Sequence, residues 1–539
     1  MKRPLSEFFT PETARGAGYE GAGKTGALFP ADPLVTGLEY DSRNIKPGNL
    51  YFALPGLHTD GRRYISDAIR RGAPVIVHEG ELPEYAEGTV YIRVRDARFA
   101  MSPLAAAFYG FPSRRLRVIG VTGTEGKSTT VYLIWQLLRL LGKKAGFFST
   151  VQYSLGDDEC WNPEHQTTPE APAVQKLLWE MAEKGAEYAV VEASSHGLSE
   201  RTNRLGDVDI TAAVFTNVTH EHLEFHGTRE QYRFDKANLF RALDRRPEKA
   251  EAGPAPFGVV NADDASAAYF AGATRQKTVS FSVRGMTADL SLKTIESSAW
   301  GNWYEVAIAG DDETVDIRDQ LPGAFNAGNV LAALLTVSGL LAVPVRDIIP
   351  LVSRLKPVRG RMTAITNKLG FEVLVDYAHT PSSFLAVFPP LRERINKTGG
   401  STGGSTGGFT GGRIISLFGS AGERDTKKRS EQGRIAAEYS DIMILTDEDP
   451  RGEKPMDILE EIAAGAPNRK RGEDMFLIPD RPAAIRKALS LAKPGDIVIL
   501  LGKGHENSII YAEKTISFDE IRETERALEE LTRQRGERS

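Results

Sequence analysis

The run Gly120-Val-Thr-Gly-Thr-Glu-Gly-Lys-Ser-Thr129 ends in Gly126-Lys127-Ser128 and links an apolar β-branched stretch, 116–121, to an amphipathic one, 128–141, closed by Gly142. Glycines in a strand-to-helix turn let backbone N–H groups approach phosphate oxygens. A lysine there neutralises β- and γ-phosphate charge, and a serine hydroxyl can ligate Mg²⁺. Gly123, Thr124, Glu125, Gly126, Lys127, Ser128 and Thr129 are therefore expected to cradle a triphosphate. The spacing departs from the usual phosphate-loop pattern, because Val121 rather than glycine stands five positions before Gly126.

Downstream, Val190-Val-Glu-Ala-Ser-Ser-His196 puts an acid, Glu192, at the end of an apolar run, where α/β sheets present ligand-binding groups. Glu192 is thus a candidate Mg²⁺ ligand. The stretch Thr216-Asn-Val-Thr-His-Glu-His-Leu-Glu-Phe-His226 is rich in histidine for a chain with 9 of them. Taken alone it fits a zinc site or a solvated polar loop. Beside the phosphate turn and Glu192, a magnesium and phosphate site fits better.

These residues need elements to hold them. A chain of 539 residues exceeds what one hydrophobic core supports, so two to four domains are expected. Hydrophobic and charged fractions of 41% and 26% are ordinary for a soluble globular protein, which excludes a fibrous or disordered chain. Lys and Arg number 67 against 72 Asp and Glu, a net charge of −5 that offers no field for nucleic acid. The single cysteine, Cys160, excludes an internal disulfide and a thiolate metal site, and fits a reducing compartment. Residues 1–18 lack the apolar core of a signal peptide. The most apolar stretch, 330–345, is shorter than the ~20 residues that span a bilayer and is expected as a buried helix. A cytoplasmic protein with neither membrane nor nucleic-acid partner is the expectation.

Strands expected at 49–54 and 74–78, with a helix at 65–71, describe a small α/β unit. Buried-strand candidates at 188–191 and 212–215, alternating with helical stretches, argue for a mostly parallel, doubly wound sheet. A third α/β unit begins near Arg359, with strands at 372–375, 414–418, 442–445 and 496–501. A threonine-glycine-glycine repeat at about 398–412 reads as a flexible surface insert without a binding role. The expected fold is α/β in three domains, 1–112, 113–355 and 356–539, the central one a phosphate-loop sheet with helices on both faces.

The phosphate turn, the Glu192–His196 segment, the stretch 216–225, Asp376-Tyr-Ala-His-Thr-Pro381 and Gly502-Lys-Gly-His-Glu506, preceded by Asp41-Ser-Arg43, occur together and in order over nearly the whole chain. In this the chain resembles the Mur ligases. The resemblance implies an ATP-dependent, ADP-forming ligase of peptidoglycan synthesis, and hence of cell shape and division. It would work as a monomer and add a diamino acid to UDP-N-acetylmuramoyl-L-alanyl-D-glutamate through an acyl phosphate. It implies domains for the UDP portion, for ATP and for the amino acid, the last Rossmann-like.

The same resemblance implies contacts with the UDP substrate at Ser42, His58, Thr59, Thr167, Thr168, Ser194 and Arg204. ATP would be held by the phosphate turn, Asn326, Asn329, Arg361 and Asp376. Lys127, Glu192, His222 and Lys236 would be catalytic. Two Mg²⁺ ions would be held through Ser128, Glu192, His222 and Lys236, the lysine carbamylated by CO₂. Three positions depart from the family's pattern: Glu125 for asparagine, Ser128 for threonine and Thr363 for glutamate, with Glu125 expected to point away from phosphate.

The incoming amino acid would meet Arg424, Asp449, Arg451, Gly502 and Glu506. Family members that add meso-diaminopimelate carry Asp-Asn-Pro-Arg where this chain has Glu448-Asp449-Pro450-Arg451. An acid in place of the amide repels a substrate carboxylate. Asp449 is accordingly expected to neutralise Arg451, leaving the other acids to receive the side-chain ammonium of lysine or ornithine in preference to meso-diaminopimelate. The alternatives are another Mur ligase, a folylpolyglutamate-synthetase-like ligase, or a silent nucleotide-binding regulator. Asp41-Ser-Arg43 and Gly502-Lys-Gly-His-Glu506 count against folate. The presence of Lys127, Glu192, His222 and Lys236 counts against silence.

Overall fold

Near the amino terminus, β1 (Gly37–Glu39), β2 (Asn49–Phe52), β3 (Val75–Glu79) and β4 (Val90–Val94) pair in that order as a parallel sheet. Val75, Ile76 and Val77 are all buried, the continuous apolar run of a strand covered on both faces. Helix α1 (Ala97–Phe108) follows, its first turn capped by Asp96, which accepts from the Phe99 amide at 2.8 Å. The structure is a computed structural model and describes residues 1–20, 31–56, 60–162, 166–218, 223–245, 254–298, 301–398 and 412–536. His58, Thr59, His222 and most of the threonine-glycine-glycine insert lie outside the described residues. The chain divides into two compact units, Met1–Ser291 with Gly328–Ile349, and Leu292–Ala327 with Pro350–Ser539.

The first unit also holds the large central sheet, made by β5 (Arg117–Thr122), β6 (Ala145–Phe148), β7 (Gln152–Ser154), β8 (Glu159–Trp161), β9 (Tyr188–Glu192), β10 (Ile210–Phe215), β11 (Phe257–Asn261) and β12 (Lys277–Ser282). They lie in the order β8-β7-β6-β9-β5-β10-β11-β12. All pairings from β6 to β12 are parallel, and the β7–β8 hairpin adds an antiparallel edge. Helix α2 (Lys127–Leu140) packs on β9 and β6. On the opposite face, Val174 and Leu178 of α3 (Ala171–Glu183) and Leu239 and Phe240 of α4 (Arg229–Arg241) join Val118, Val191 and Phe215 in one core.

Register decides what this sheet delivers. Val121 on β5 pairs with Glu192 on β9, and Thr122 with Phe215 on β10, so three carboxyl ends sit side by side. The phosphate turn, Glu192 and the Thr216-Asn217 pair therefore emerge at one edge, where doubly wound sheets bind ligands. Helix α5 (Asn326–Leu341) holds the expected apolar stretch as far as Leu341 and is buried through Val330, Leu334 and Val337, but it stops four residues short of 345, where Ala342 takes φ 52°. Among the described residues no single helix is long and apolar enough to cross a bilayer.

The second unit carries a six-stranded sheet of β13 (Thr363–Ala364), β14 (Glu372–Asp376), β15 (Ile414–Phe418), β16 (Ile442–Leu445), β17 (Met475–Leu477) and β18 (Ile497–Leu501), ordered β13-β14-β18-β15-β16-β17. Only the β13 pairing is antiparallel. Alternate strand residues face opposite ways. Leu374, Phe418, Met443 and Ile499 pack with α6 (Pro381–Thr398), α7 (Lys427–Tyr439) and α8 (Pro455–Ala463). Val375, Leu417, Ile444 and Leu500 pack with α9 (Arg481–Leu491) and α10 (Glu520–Gly536). The α/β class, the mostly parallel central sheet and a carboxyl-terminal sheet covered on both faces agree with the sequence expectation. Unforeseen are the β7–β8 hairpin and the antiparallel pair Gly301–Ile308 and Val315–Arg318.

Candidate functional site

The phosphate turn is built around two glycines that nothing larger replaces. Gly126 caps α2 at φ 83°, and a Cβ there would stand 2.5 Å from Asn329 Oδ1; a Cβ at Gly123 would stand 1.8 Å from Thr216 Oγ1. The loop is pinned by the neighbouring strand end. Asn217 Oδ1 accepts from the Glu125 amide at 2.9 Å, while Thr216 Oγ1 and Asn217 Nδ2 donate to the Glu125 carbonyl at 2.6 and 3.1 Å. Asn329 Oδ1 accepts from Thr130 Oγ1 at 3.1 Å, which sets this asparagine against the turn and the first residues of α2. The Lys127 ammonium donates to the Thr124 carbonyl at 2.8 Å within its own loop.

Ser128 Oγ donates to Glu192 Oε2 at 2.9 Å, and the Thr150 amide donates to the same oxygen at 2.8 Å. Glu192 is 1% exposed, its buried carboxyl group positioned by donors on two sides. The Thr168 hydroxyl donates to the Glu192 carbonyl at 2.8 Å and accepts from the Ser194 amide at 2.9 Å, fixing the backbone through which Glu192 and Ser194 diverge. From α4, Lys236 donates to the Gly123 carbonyl at 2.6 Å and lies over the Tyr232 ring at 4.5 Å. Arg204 donates to the Thr168 carbonyl at 2.6 Å and to Glu170 Oε1 at 2.8 Å, and Arg98 of α1 reaches the same Glu170 oxygen at 3.1 Å.

Lys127, Thr167, Ser194, Arg204 and Lys236 thus line one cavity of about 260 Å³ together with Gln166, Ser195, His196 and Tyr232. Sequence reasoning assigned no role to those four, although Gln166 and Ser195 adjoin Thr167 and Ser194, and His196 and Tyr232 lie in segments that it did single out. Among the described residues no cluster of three or more His, Cys, Asp or Glu side chains could hold a metal ion. Oxygen donors at the phosphate turn are supplied instead by Ser128 and Glu192. Ser42 is buried in a short turn after β1, where Asp41 accepts from the Arg43 amide at 2.9 Å.

In the second unit, Asn326 Nδ2 donates to the Pro322 carbonyl at 2.7 Å. The Arg361 guanidinium lies over the Tyr377 ring at 4.6 Å. Asp376 accepts from the Met362 and Ala378 amides, both at 2.7 Å. Burial raises its pKa above the usual carboxylate value despite the nearby Arg361. Arg424 is exposed on the loop after β15.

The acids after β16 are arranged differently from expectation. Asp449 pairs with Lys503, not with Arg451: Lys503 Nζ donates to Asp449 Oδ1 at 2.9 Å and to Glu506 Oε2 at 2.5 Å. Burial works against the Lys503 ammonium, but Glu506 and Asp449 outweigh it and hold its pKa above the usual lysine value. Glu506 also accepts from the Tyr377 hydroxyl at 3.3 Å. Glu448 Oε2 and Arg451 Nε are buried without a hydrogen-bond partner among the described residues. A Cβ on Gly502 would come within 3.0 Å of that Glu448 oxygen.

Models of the Mur ligase family match three consecutive segments. The Mur ligase family catalytic domain matches residues 34–109, the Mur ligase middle domain 121–337, and the Mur ligase, glutamate ligase domain 360–504. The chain is 51% identical over 510 residues to the UDP-N-acetylmuramyl-tripeptide synthetase of Treponema denticola, spanning 90% of this chain and 92% of the relative. It is 34% identical over 486 residues to the UDP-N-acetylmuramoyl-L-alanyl-D-glutamate–2,6-diaminopimelate ligase of Caldanaerobacter subterraneus, spanning 90% and 93%. A solved UDP-N-acetylmuramoyl-L-alanyl-D-glutamate–2,6-diaminopimelate ligase is similar in fold, with a TM-score of 0.59 at 27% identity over 92% of this chain and 95% of that one. The chain belongs to the Mur ligase family. It is an ATP-dependent, amide-forming ligase of peptidoglycan synthesis.

Proposed function

We propose that this ligase joins L-lysine or L-ornithine, in preference to meso-diaminopimelate, to the D-glutamyl γ-carboxylate of UDP-N-acetylmuramoyl-L-alanyl-D-glutamate, working as a cytoplasmic monomer. Residues 1–112 hold the UDP portion through Ser42, His58 and Thr59, residues 113–355 hold ATP, and residues 356–539 bring the amino acid and further nucleotide contacts at Arg361 and Asp376. The observation that carries the chemistry is the Ser128–Glu192 hydrogen bond beside a cavity lined by Lys127, Lys236 and Arg204.

A carboxylate resists amines because its oxygen is a poor leaving group. The γ-carboxylate therefore takes the γ-phosphoryl of ATP to become an acyl phosphate, which the amine attacks with loss of phosphate. Arg204 pairs with an anionic group of the muramoyl peptide, supported by Thr167, Thr168 and Ser194. Lys127 exchanges the Thr124 carbonyl for phosphate oxygens, and the amides of the turn cradle the triphosphate while Asn326 and Asn329 hold the nucleoside side. Ser128 and Glu192 are hard oxygen donors that suit Mg²⁺; with His222 and carbamylated Lys236 they would hold two ions, which supply charge neutralisation when bound.

Specificity is supported by the acids after β16. With Asp449 and Glu506 both engaged by Lys503, Glu448 Oε2 is left without a hydrogen-bond partner among the described residues to meet the side-chain ammonium, and Arg451, whose Nε is likewise without one, meets the α-carboxylate. Such a pocket favours an ammonium at the far end of the side chain. The test is phosphate release with the UDP-dipeptide and each of L-lysine, L-ornithine and meso-diaminopimelate. A tenfold preference of the wild type for diaminopimelate, about 1.4 kcal/mol, overturns the specificity. Failure of every amine to stimulate turnover overturns the ligase assignment.

A further inference from the structure

Beneath the cavity wall lies a three-residue hydrogen-bonded chain that the roles above leave unused. His226 Nδ1 stands 2.7 Å from Asp235 Oδ2, and His226 Nε2 stands 3.0 Å from Ser195 Oγ. All three residues are buried, and Gln231 Nε2 donates to the second Asp235 oxygen at 2.9 Å. They come from separate elements: Ser195 opens the short helix Ser195–Leu198, His226 closes the short helix Leu223–His226, and Asp235 lies on α4. Of the three, only Ser195 lines the cavity, together with Lys127, Lys236 and Arg204.

The direction of the chain follows from its end. A carboxylate only accepts, so Asp235 requires the proton on His226 Nδ1. In the tautomer that carries its proton there, the ring offers a lone pair at Nε2, and the Ser195 hydroxyl donates to it. This leaves the Ser195 oxygen as an acceptor in a wall that also carries the cationic groups of Lys127, Arg204 and Lys236. An attacking amine needs such an acceptor, because it must shed a proton to become an amide.

We infer that Ser195, His226 and Asp235 form a proton relay for the incoming amine, an inference that rests on the acyl-phosphate route proposed above. The neutral amine attacks the acyl carbon, a C–N bond forms, and the C–O bond to phosphate breaks as phosphate leaves with the electron pair. The surplus N–H proton passes to Ser195 Oγ while the hydroxyl proton passes to His226 Nε2, and the resulting imidazolium is held by Asp235 until it returns the proton to solvent. Ser195 is the catalytic residue of the three; His226 takes the proton through it, and Asp235 is a positioning residue.

The test separates the two half-reactions. Hydroxylamine is uncharged at neutral pH and strongly nucleophilic, so it traps an acyl phosphate as a hydroxamate without the relay. His226→Gln and Ser195→Ala should keep hydroxamate formation from ATP and the UDP-dipeptide within about threefold of wild type while kcat/KM for amide formation falls roughly 10²- to 10⁴-fold. Asp235→Asn, which reverses the donor direction along the chain, should behave likewise. If the two reactions fall together, or if neither falls, the relay is wrong; Ser195→Ala carries the test should His226→Gln fail to fold. A wild-type enzyme that forms no hydroxamate overturns the acyl-phosphate route and the relay with it.

Discussion

Ser128 and Glu192 are 64 positions apart in the chain, yet their side chains meet at 2.9 Å because β5 and β9 are parallel neighbours whose ends are in register. The pair is held from a second side by the Thr150 amide. Glu192→Gln preserves the shape and an acceptor oxygen but removes the charge. It should lower kcat/KM on the order of 10³-fold and raise the Mg²⁺ concentration needed for half-maximal activity, with an unchanged circular dichroism spectrum. Wild-type Mg²⁺ dependence in the variant would remove Glu192 from the metal site.

Gly126→Ala should damage the nucleotide site before it damages the fold. The residue has φ 83°, and its new methyl group would meet Asn329 Oδ1 at 2.5 Å. A conformational cost of about 1–3 kcal/mol is expected, together with displacement of the first turn of α2. Calorimetry should show a modest drop in Tm and ATP titration a much larger rise in KM; an unaffected KM for ATP would contradict the phosphate-turn assignment.

Lys127→Ala and His222→Ala should each abolish ligation while folding is retained, since both act on phosphate or metal charge rather than packing. Lys127 itself reaches the carbonyl of Thr124 in its own loop. Lys236→Ala should also lose activity, and short-chain carboxylic acids should restore part of it by standing in for a carbamate. Ligase assays with and without acetate decide the matter, and absence of rescue counts against carbamylation.

A pH effect on stability should come from Asp447. Burial, ahead of every other influence, raises its pKa from 3.8 to about 6, although the Tyr511 hydroxyl donates to it at 3.0 Å. Because the folded state binds this proton more tightly than the unfolded chain, the penalty of the buried charge is absent below about pH 4 and complete above about pH 6. Asp447→Asn removes the penalty. Its Tm should gain on that of the wild type as pH rises from 4 to 6 and keep a constant lead from there to pH 8. A lead that does not change with pH would show that Asp447 titrates normally.

The phosphate turn, Glu192, the parallel sheets and the buried helix after Asn326 were legible in the sequence because each is a local property. Glycine spacing, β-branched runs and helical periodicity act over a few residues, and strand carboxyl ends are where such folds present ligands. The family resemblance rested on motifs of the same local kind. What the sequence could not settle was pairing at long range. Asp449 and Arg451 are two residues apart, and an ion pair between them was the natural expectation, yet the partner of Asp449 is Lys503, 54 positions away. Thr130 meets Asn329 across 199 positions, and Ser195 meets His226 across 31. Which charges neutralise one another, and which hydroxyl becomes an acceptor in the cavity, depend on strand order and register. Those are set by burying apolar faces over whole sheets, and no short segment of sequence carries that information.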